Sequence, residues 1–361
     1  MNTPVDTCAT APGPLVLGDA ARFLVIRRDN IGDLLCTTPM ISALRQRYPA
    51  AWIGALVNSY NAPVLAGNRD LDDVYVYEKL KHLAPGKSRL GALLERLRLI
   101  LRLRARHIDC AILAAPGFQA SALRFARLAA PRHVLGYAAS NDVIDINVAA
   151  EPARQLHEVE ACFRLLEPLG ISMPPPPMSL AADTAEIAVI RGRPGWTAVE
   201  EGSGPLIGLH ISARKPQQRW PLARFAEVAR RLHVTVGARF LLFWAPGSSA
   251  NPLHPGDDET AQTLAAALTG VPIFPVATAR LPELIAGLSL CDQVICSDGG
   301  AMQIAAALGK PVVCFFGNSD ATRWLPWAVP YELLQAPSQD VADLSVEQAF
   351  AAWQRLQSRL I

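Results

Sequence analysis

Three segments of this 361-residue chain hold residue types and spacings that could do chemistry. The first is Phe23-Leu-Val-Ile-Arg-Arg-Asp-Asn-Ile-Gly-Asp33, an apolar strand that ends at a glycine and an aspartate before a helix opens near Leu34. Ligands of open α/β sheets bind at the carboxyl ends of strands, where Asp33 stands. A carboxylate in that place can take a proton as a general base, or it can cap the helix that follows. The dinucleotide fingerprint Gly-x-Gly-x-x-Gly is absent.

The second segment, Cys296-Ser-Asp-Gly-Gly-Ala-Met-Gln303, reads as strand, glycine turn and helix (Ala301–Leu308). Gly299 and Gly300 let a ligand approach the backbone, and the free N–H groups of a helix start favour a phosphate. The alternative is a tight turn capped by Asp298, with the glycines serving close packing of a small-residue helix (Ala305, Ala306, Ala307). The third segment, Gly208 to Pro221, carries Arg214, Lys215 and Arg219 just past a strand. Three such cations suit a diphosphate, Arg through its fork and Lys as a point charge. A solvated basic loop is the plainer reading.

A basic helix is expected from Lys87 to Arg106, with Arg89, Arg96, Arg98, Arg102, Arg104 and Arg106. Leu90, Leu93, Leu94, Leu97 and Leu101 fall at helical spacing and are expected to form its inner stripe. The outward cations would then be a solvated face, or would attract an anionic membrane surface or a phosphorylated acceptor.

Parallel α/β units position these segments, because short apolar runs alternate with longer helical stretches. Strands are expected at Phe23–Arg28, Ala51–Val57, Val74–Tyr77, Cys110–Ala115 and Val134–Tyr137. After a Gly/Pro-punctuated stretch near residues 192–204, five more follow at Leu206–Ile211, Phe240–Trp244, Pro272–Val276, Val294–Ser297 and Val312–Phe316. Helices fill the gaps, among them Thr38–Tyr48, Ser88–His107 and Gln155–Leu169. A last helix, Ser345–Leu360, has no strand after it.

Composition bounds the rest. The chain is 51% hydrophobic and 18% charged, enough apolar material for about two domains. Its 34 Lys+Arg against 32 Asp+Glu leave a net charge of +2, which gives no support to nucleic-acid binding. No apolar run reaches the ~18 residues of a membrane span. Residues 1–20 read as a loose leader and not a signal peptide. The seven cysteines are scattered without a C-x-x-C pair, and the histidines lack metal-ligand spacing, so neither a disulfide framework nor a metal site is indicated. The chain reads as cytoplasmic.

In order, Ile31-Gly-Asp33, Thr38-Pro39, Trp220-Pro221, Ser297-Asp-Gly-Gly-Ala-Met302 and Phe316-Gly-Asn-Ser-Asp-Ala-Thr-Arg-Trp324 resemble the bacterial heptosyltransferases, glycosyltransferase family 9. The resemblance runs from about Phe23 to Trp324. It implies a GT-B fold, two Rossmann-like domains facing across a cleft. An acceptor domain would span 21–195, a nucleotide-sugar domain 205–340, and residues 345–361 would form a helix crossing back to the first.

By the same resemblance Asp33 is the catalytic base, with Gly32 and Asn30 on the acceptor side. The nucleotide-sugar site would comprise Ser212, Ala213, Arg214, Lys215, Gln218, Arg219, Asp298, Gly299, Gly300, Ala301 and Gln303. Ala213 lacks a hydroxyl the family usually has, Gln218 replaces a lysine, and Gln303 replaces a histidine. The implied enzyme is inverting and metal-independent, with no cofactor. Its donor is ADP-heptose and its acceptor a lipopolysaccharide core glycolipid at the inner face of the inner membrane. Two alternatives remain: another nucleotide sugar, glycan or protein acceptor on the same fold, or a degenerate nucleotide-sugar binder without turnover.

Overall fold

The computed structural model describes residues 15–78, 89–138, 143–153, 155–250 and 256–360. Two six-stranded parallel sheets organise them. The first contains β1 (Arg22–Ile26), β2 (Trp52–Asn58), β3 (Asp73–Tyr77), β4 (Cys110–Leu113), β5 (His133–Tyr137) and β6 (Ile146–Val148), in the order β3-β2-β1-β4-β5-β6. The second contains β7 (Leu206–His210), β8 (Arg239–Trp244), β9 (Ile273–Ala277), β10 (Gln293–Ser297), β11 (Val312–Phe316) and β12 (Tyr331–Gln335), in the order β12-β11-β10-β7-β8-β9. Read from the other edge, that second order repeats the first. Both are the doubly wound Rossmann order, whose crevice opens where the strand order reverses. The switch points are β1/β4 and β7/β10, and Asp33, Ser212 and Asp298 all follow switch-point strands.

The central strands are continuous apolar runs because helices cover both faces of a parallel sheet. All five residues of β10 and of β11 are buried. The helix Gly300–Ala307 is buried from Ala301 to Ala307, and its sequence explains how. With side chains no larger than Met and Gln, it fits between its own sheet and the helix Ile31–Leu35 of the first domain. Ile31, Leu34 and Leu35 share one apolar cluster with Ala301, Met302 and Ile304. The two domains therefore face each other in the GT-B arrangement.

Several expectations are corrected. The chain leaves the first domain before residue 195. Helix Thr184–Arg191 packs on helix Leu281–Leu290, Arg280 pairs with Glu186 at 2.9 Å, and Trp196 meets Phe274 edge-on at 5.5 Å. The Pro174–Pro177 run is extended, so the crossing precedes the helix. The final helix, Val346–Gln357, does not cross back. Its buried stripe (Ala349, Ala352, Trp353, Leu356) packs on β11, β12 and helix Leu222–Val236, and Trp353 Nε1 donates to Gln293 Oε1 at 2.8 Å.

The leader also differs. Residues 1–14, with Cys8, lie outside the described residues, but Leu15 and Leu17 are held in place. The Leu15 N–H donates to Pro168 O at 2.7 Å, and Leu15 and Leu17 pack on the core. In the basic stretch, Lys87 and Ser88 lie outside the described residues and the helix is Arg89–Arg104. Its inner residues are Leu99 and Leu103, which meet Tyr75, Tyr77 and Phe125. The five leucines expected inside are exposed, from 47% at Leu94 to 67% at Leu90. Leucines occur all round this helix, so periodicity alone could not choose which face turns inward.

Candidate active site

Between the domains lies a cleft of about 350 Å³. Asn30, Ile31, Gly32 and Asp33 form one wall, and the segments after β7 and β10 form the other. Of the residues expected in the site, Asn30, Gly32, Asp33, Ser212, Ala213, Arg214, Lys215, Gln218, Asp298, Gly299, Gly300, Ala301 and Gln303 line it. Arg219 does not.

Asp33 is not at the foot of one long helix. The chain makes a single turn, Ile31–Leu35, and restarts at Thr38, where Pro39 suits a first turn. Asp33 is the third residue of that turn, and its carboxylate reaches back to cap it. Oδ2 accepts from the Asn30 backbone N–H at 3.0 Å and from Asn30 Nδ2 at 2.9 Å. Oδ1 accepts from Arg27 Nη2 at 2.7 Å. An ionised carboxylate offers about four acceptor positions, so about one is left on a side chain that is 13% exposed toward the cleft. Capping and base chemistry are thus compatible in one group.

Arg27 is the anchor that sequence reasoning missed. Its side chain is 1% exposed, and Nη2 also donates to Glu158 Oε1 at 2.6 Å, while Nε lies 3.3 Å from Asp29 Oδ2. Glu158 has no exposure at all, and its second oxygen faces the other domain, where Arg323 Nη2 sits 2.7 Å and Nε 2.9 Å from Oε2. Beside it His157 Nδ1 accepts from the Val159 N–H, leaving Nε2 to donate to Leu325 O at 2.9 Å; its ring stacks on Trp327 at 4.7 Å. Burial lowers the His157 pKa. Arg27 stands one residue past a strand, where a basic residue reads as surface. Its contacts with Asp29, Asp33 and, far away in sequence, Glu158 reveal it.

On the opposite wall Gly299 has φ +153°, a backbone that favours glycine, with open space where a Cβ would stand. The amides of the Gly300–Ala307 first turn have no intrahelical partner and point their dipole at the cleft. Arg214 is exposed, and Lys215 Nζ lies 3.4 Å from Asn318 Oδ1. Gln218 is buried and donates through Nε2 to Asp298 Oδ2 and Ser319 Oγ, each at 3.1 Å. Burial raises the Asp298 pKa, offset in part by Ser319, Lys215 and Gln218. His210 is pushed down to about 4 by burial, against the pull of Asp257, so it supplies no cation at neutral pH.

Arg219 turns from the cleft because a stronger partner is near. Its Nη1 pairs with Asp257 Oδ1, on a residue only 2% exposed, while Asp257 Oδ2 accepts from Ser212 Oγ at 2.6 Å. Arg219 therefore braces the loop that carries Arg214 and Lys215. Gln303 closes the cleft floor. Its Nε2 donates to Trp324 O at 2.8 Å, and its Cγ lies 3.1 Å from where a Cβ on Gly32 would be, so a side chain at 32 would need Gln303 to give by a few tenths of an ångström. Gln303 Oε1 is buried without a hydrogen-bond partner among the described residues. Among the described residues no group of three or more His, Cys, Asp or Glu is arranged to hold a metal, and no helix is long and apolar enough to cross a membrane.

Comparison with known proteins identifies the family and the fold. Residues 96–354 match the family described as glycosyltransferase family 9 (heptosyltransferase). The chain is 24% identical to lipopolysaccharide heptosyltransferase 2 of Escherichia coli K12 over 308 residues, 82% of this chain and 83% of that one. It is 26% identical to lipopolysaccharide heptosyltransferase 3 of the same strain over 306 residues, 82% of each. The fold is similar to that of E. coli heptosyltransferase WaaC solved with ADP, at TM-score 0.71 and 19% identity, covering 93% of this chain and 99% of that one.

Proposed function

Because the chain belongs to glycosyltransferase family 9, a family of heptosyltransferases, we propose that it moves heptose from ADP-heptose to a lipopolysaccharide core acceptor, with inversion and without a metal. The observation that carries this reading is that Asp33 on one wall and the Asp298–Ala301 turn on the other line one cleft. The relatives named for lipopolysaccharide heptosyltransfer, and the WaaC structure holding ADP, support the choice of donor and acceptor.

In this mechanism the acceptor hydroxyl hydrogen-bonds to the open position on the Asp33 carboxylate. As its oxygen attacks the anomeric carbon, the proton passes to Asp33 and the bond from that carbon to the diphosphate oxygen breaks. Attack opposite the leaving group inverts the anomeric centre. ADP leaves with added negative charge, which the first-turn amides at Gly300–Ala301 and the cations Arg214 and Lys215 stabilise. Gln303 Oε1 accepts from a sugar hydroxyl, which would satisfy its buried oxygen. The acceptor is presented at the cytoplasmic face of the inner membrane.

The test is donor and acceptor profiling in the presence of a chelator. Transfer from ADP-heptose to a heptose-deficient core lipid, giving the opposite anomeric configuration in EDTA, is expected. A preference for another nucleotide sugar, or turnover that needs a divalent ion, would overturn the respective part. Nucleotide-sugar binding without any transfer would favour a non-catalytic role, for which the neutral Gln218 and Gln303 are the motivating residues.

A further inference from the structure

The helix Arg89–Arg104 has two apolar faces. One, with Leu99 and Leu103, is buried on the first sheet. At 100° per residue Leu90, Leu94, Leu97 and Leu101 fall within one narrow outward stripe, joined by Leu93 at its edge. These five leucines are between 47% and 67% exposed. Water-facing leucines aligned for three turns are a surface awaiting a partner, unlike apolar residues scattered singly.

Charge identifies the partner. The helix carries five arginines and one acid, Glu95. Exposed Arg98 and Arg102 flank the stripe on one side and exposed Arg104 on the other. Arg104 Nε also donates to Leu128 O, tying the stripe to helix Ala120–Ala129, which adds exposed Arg124 and Arg127. In a chain whose net charge is only +2, this is a strong local concentration. A second copy would set arginine against arginine across a two-fold interface, which like-charge repulsion opposes.

We propose that this face docks on an anionic lipid bilayer, with the leucines laid into the headgroup boundary and the arginines on the lipid phosphates. The helix joins the carboxyl end of β3 to the amino end of β4, so its first turns lie at the same end of the sheet as Asp33. Arg28, one residue before Asp29, and Arg96 of this helix both stack on Phe125, at 4.6 and 4.5 Å. Docking there brings the acceptor side of the cleft beside the bilayer. The inference deepens the reading of a lipid-linked acceptor, but vesicle binding tests it without turnover, so either can fail alone.

The experiment is flotation of the full-length protein with vesicles of phosphatidylethanolamine and phosphatidylglycerol, and with vesicles of phosphatidylcholine alone. Wild type should float with the anionic vesicles only. Leu94→Ser/Leu97→Ser/Leu101→Ser should reduce partitioning by roughly tenfold or more while melting temperature and ADP binding stay unchanged. Arg98→Glu/Arg102→Glu should remove the anionic preference, with the largest loss at low salt. Failure of wild type to float, or flotation of either folded variant at the wild-type level, would overturn the proposal. So would a wild-type dimer that the leucine variant converts to monomer, because the face would then belong to a second copy.

Discussion

Arg323 of the second domain reaches Glu158 of the first, with Nη2 2.7 Å from Oε2 and the carboxylate wholly buried. The other oxygen of Glu158 shares Arg27 Nη2 with Asp33. A chain of alternating charges therefore runs from one domain, across the interface, to the candidate base. With the domains apart, Glu158 would lose a partner and face water, and Arg27 would divide itself differently between its carboxylates. This chain of contacts predicts that the orientation of Asp33 depends on domain closure.

Replacing Arg323 tests this coupling. Arg323→Ala leaves one Glu158 oxygen without its charged donor, and since Arg323 is itself about a third exposed, a modest loss of roughly 1–3 kcal/mol in stability is expected. A purely structural role predicts only that. The coupling also predicts kcat lower by roughly tenfold with donor affinity nearly unchanged, because a misplaced general base slows the chemical step without touching the nucleotide. Arg323→Lys should recover part of kcat. A variant with lower melting temperature but normal kcat would restrict Arg323 to a structural tie.

The neutral Gln218 beside Asp298 leads to a gain-of-binding prediction. A lysine there could keep contact with Asp298 and add a cation on the wall that carries Arg214 and Lys215. Gln218→Lys should tighten ADP binding by about two- to fivefold, the scale of a partly exposed ion pair, as read by calorimetry. Unchanged or weaker binding would mean that the diphosphate lies away from residue 218.

His210 gives a pH dependence. Burial holds it at about 4 in the native protein, against about 6.5 for an unperturbed imidazole. A depressed native pKa means that the unfolded chain binds the proton first. The contribution is intact above about pH 6.5 and is lost as pH falls toward 4, by up to ~1.4 kcal/mol per pH unit. Thermal melts between about pH 7 and about pH 5 should therefore fall more steeply for wild type than for His210→Asn. Parallel slopes would contradict a neutral imidazole at this half-buried position.

The sequence carried most of the scaffold and the glycine turn, and the reasons for its failures are local. β1, β10 and β11 were legible because strands covered on both faces are unbroken apolar runs. The edge strands β6 and β12 were not, since Ile146–Val148 is short and Tyr331–Gln335 is only partly buried. Asp33 and Gly299–Gly300 stand out as candidates because they sit at strand ends, and they line one cleft. Arg27, Glu158 and Arg323 form their network through pairings more than a hundred residues apart, which no local pattern encodes. Arg219 was misjudged for the same reason, as its partner Asp257 lies 38 residues away.

Asp33→Asn is the most direct test of the central claim. Asparagine preserves size and can still accept the Asn30 N–H through its amide oxygen, but its NH2 then faces the Arg27 Nη2 donor, so a loss of roughly 1–3 kcal/mol in stability is expected. It cannot accept a proton from the acceptor hydroxyl. In the folded variant, with ADP-heptose affinity near wild type, the transfer rate should fall by roughly 10²–10⁴-fold. A folded, donor-binding variant that transfers heptose at close to the wild-type rate would leave Asp33 a helix cap and contradict the assignment.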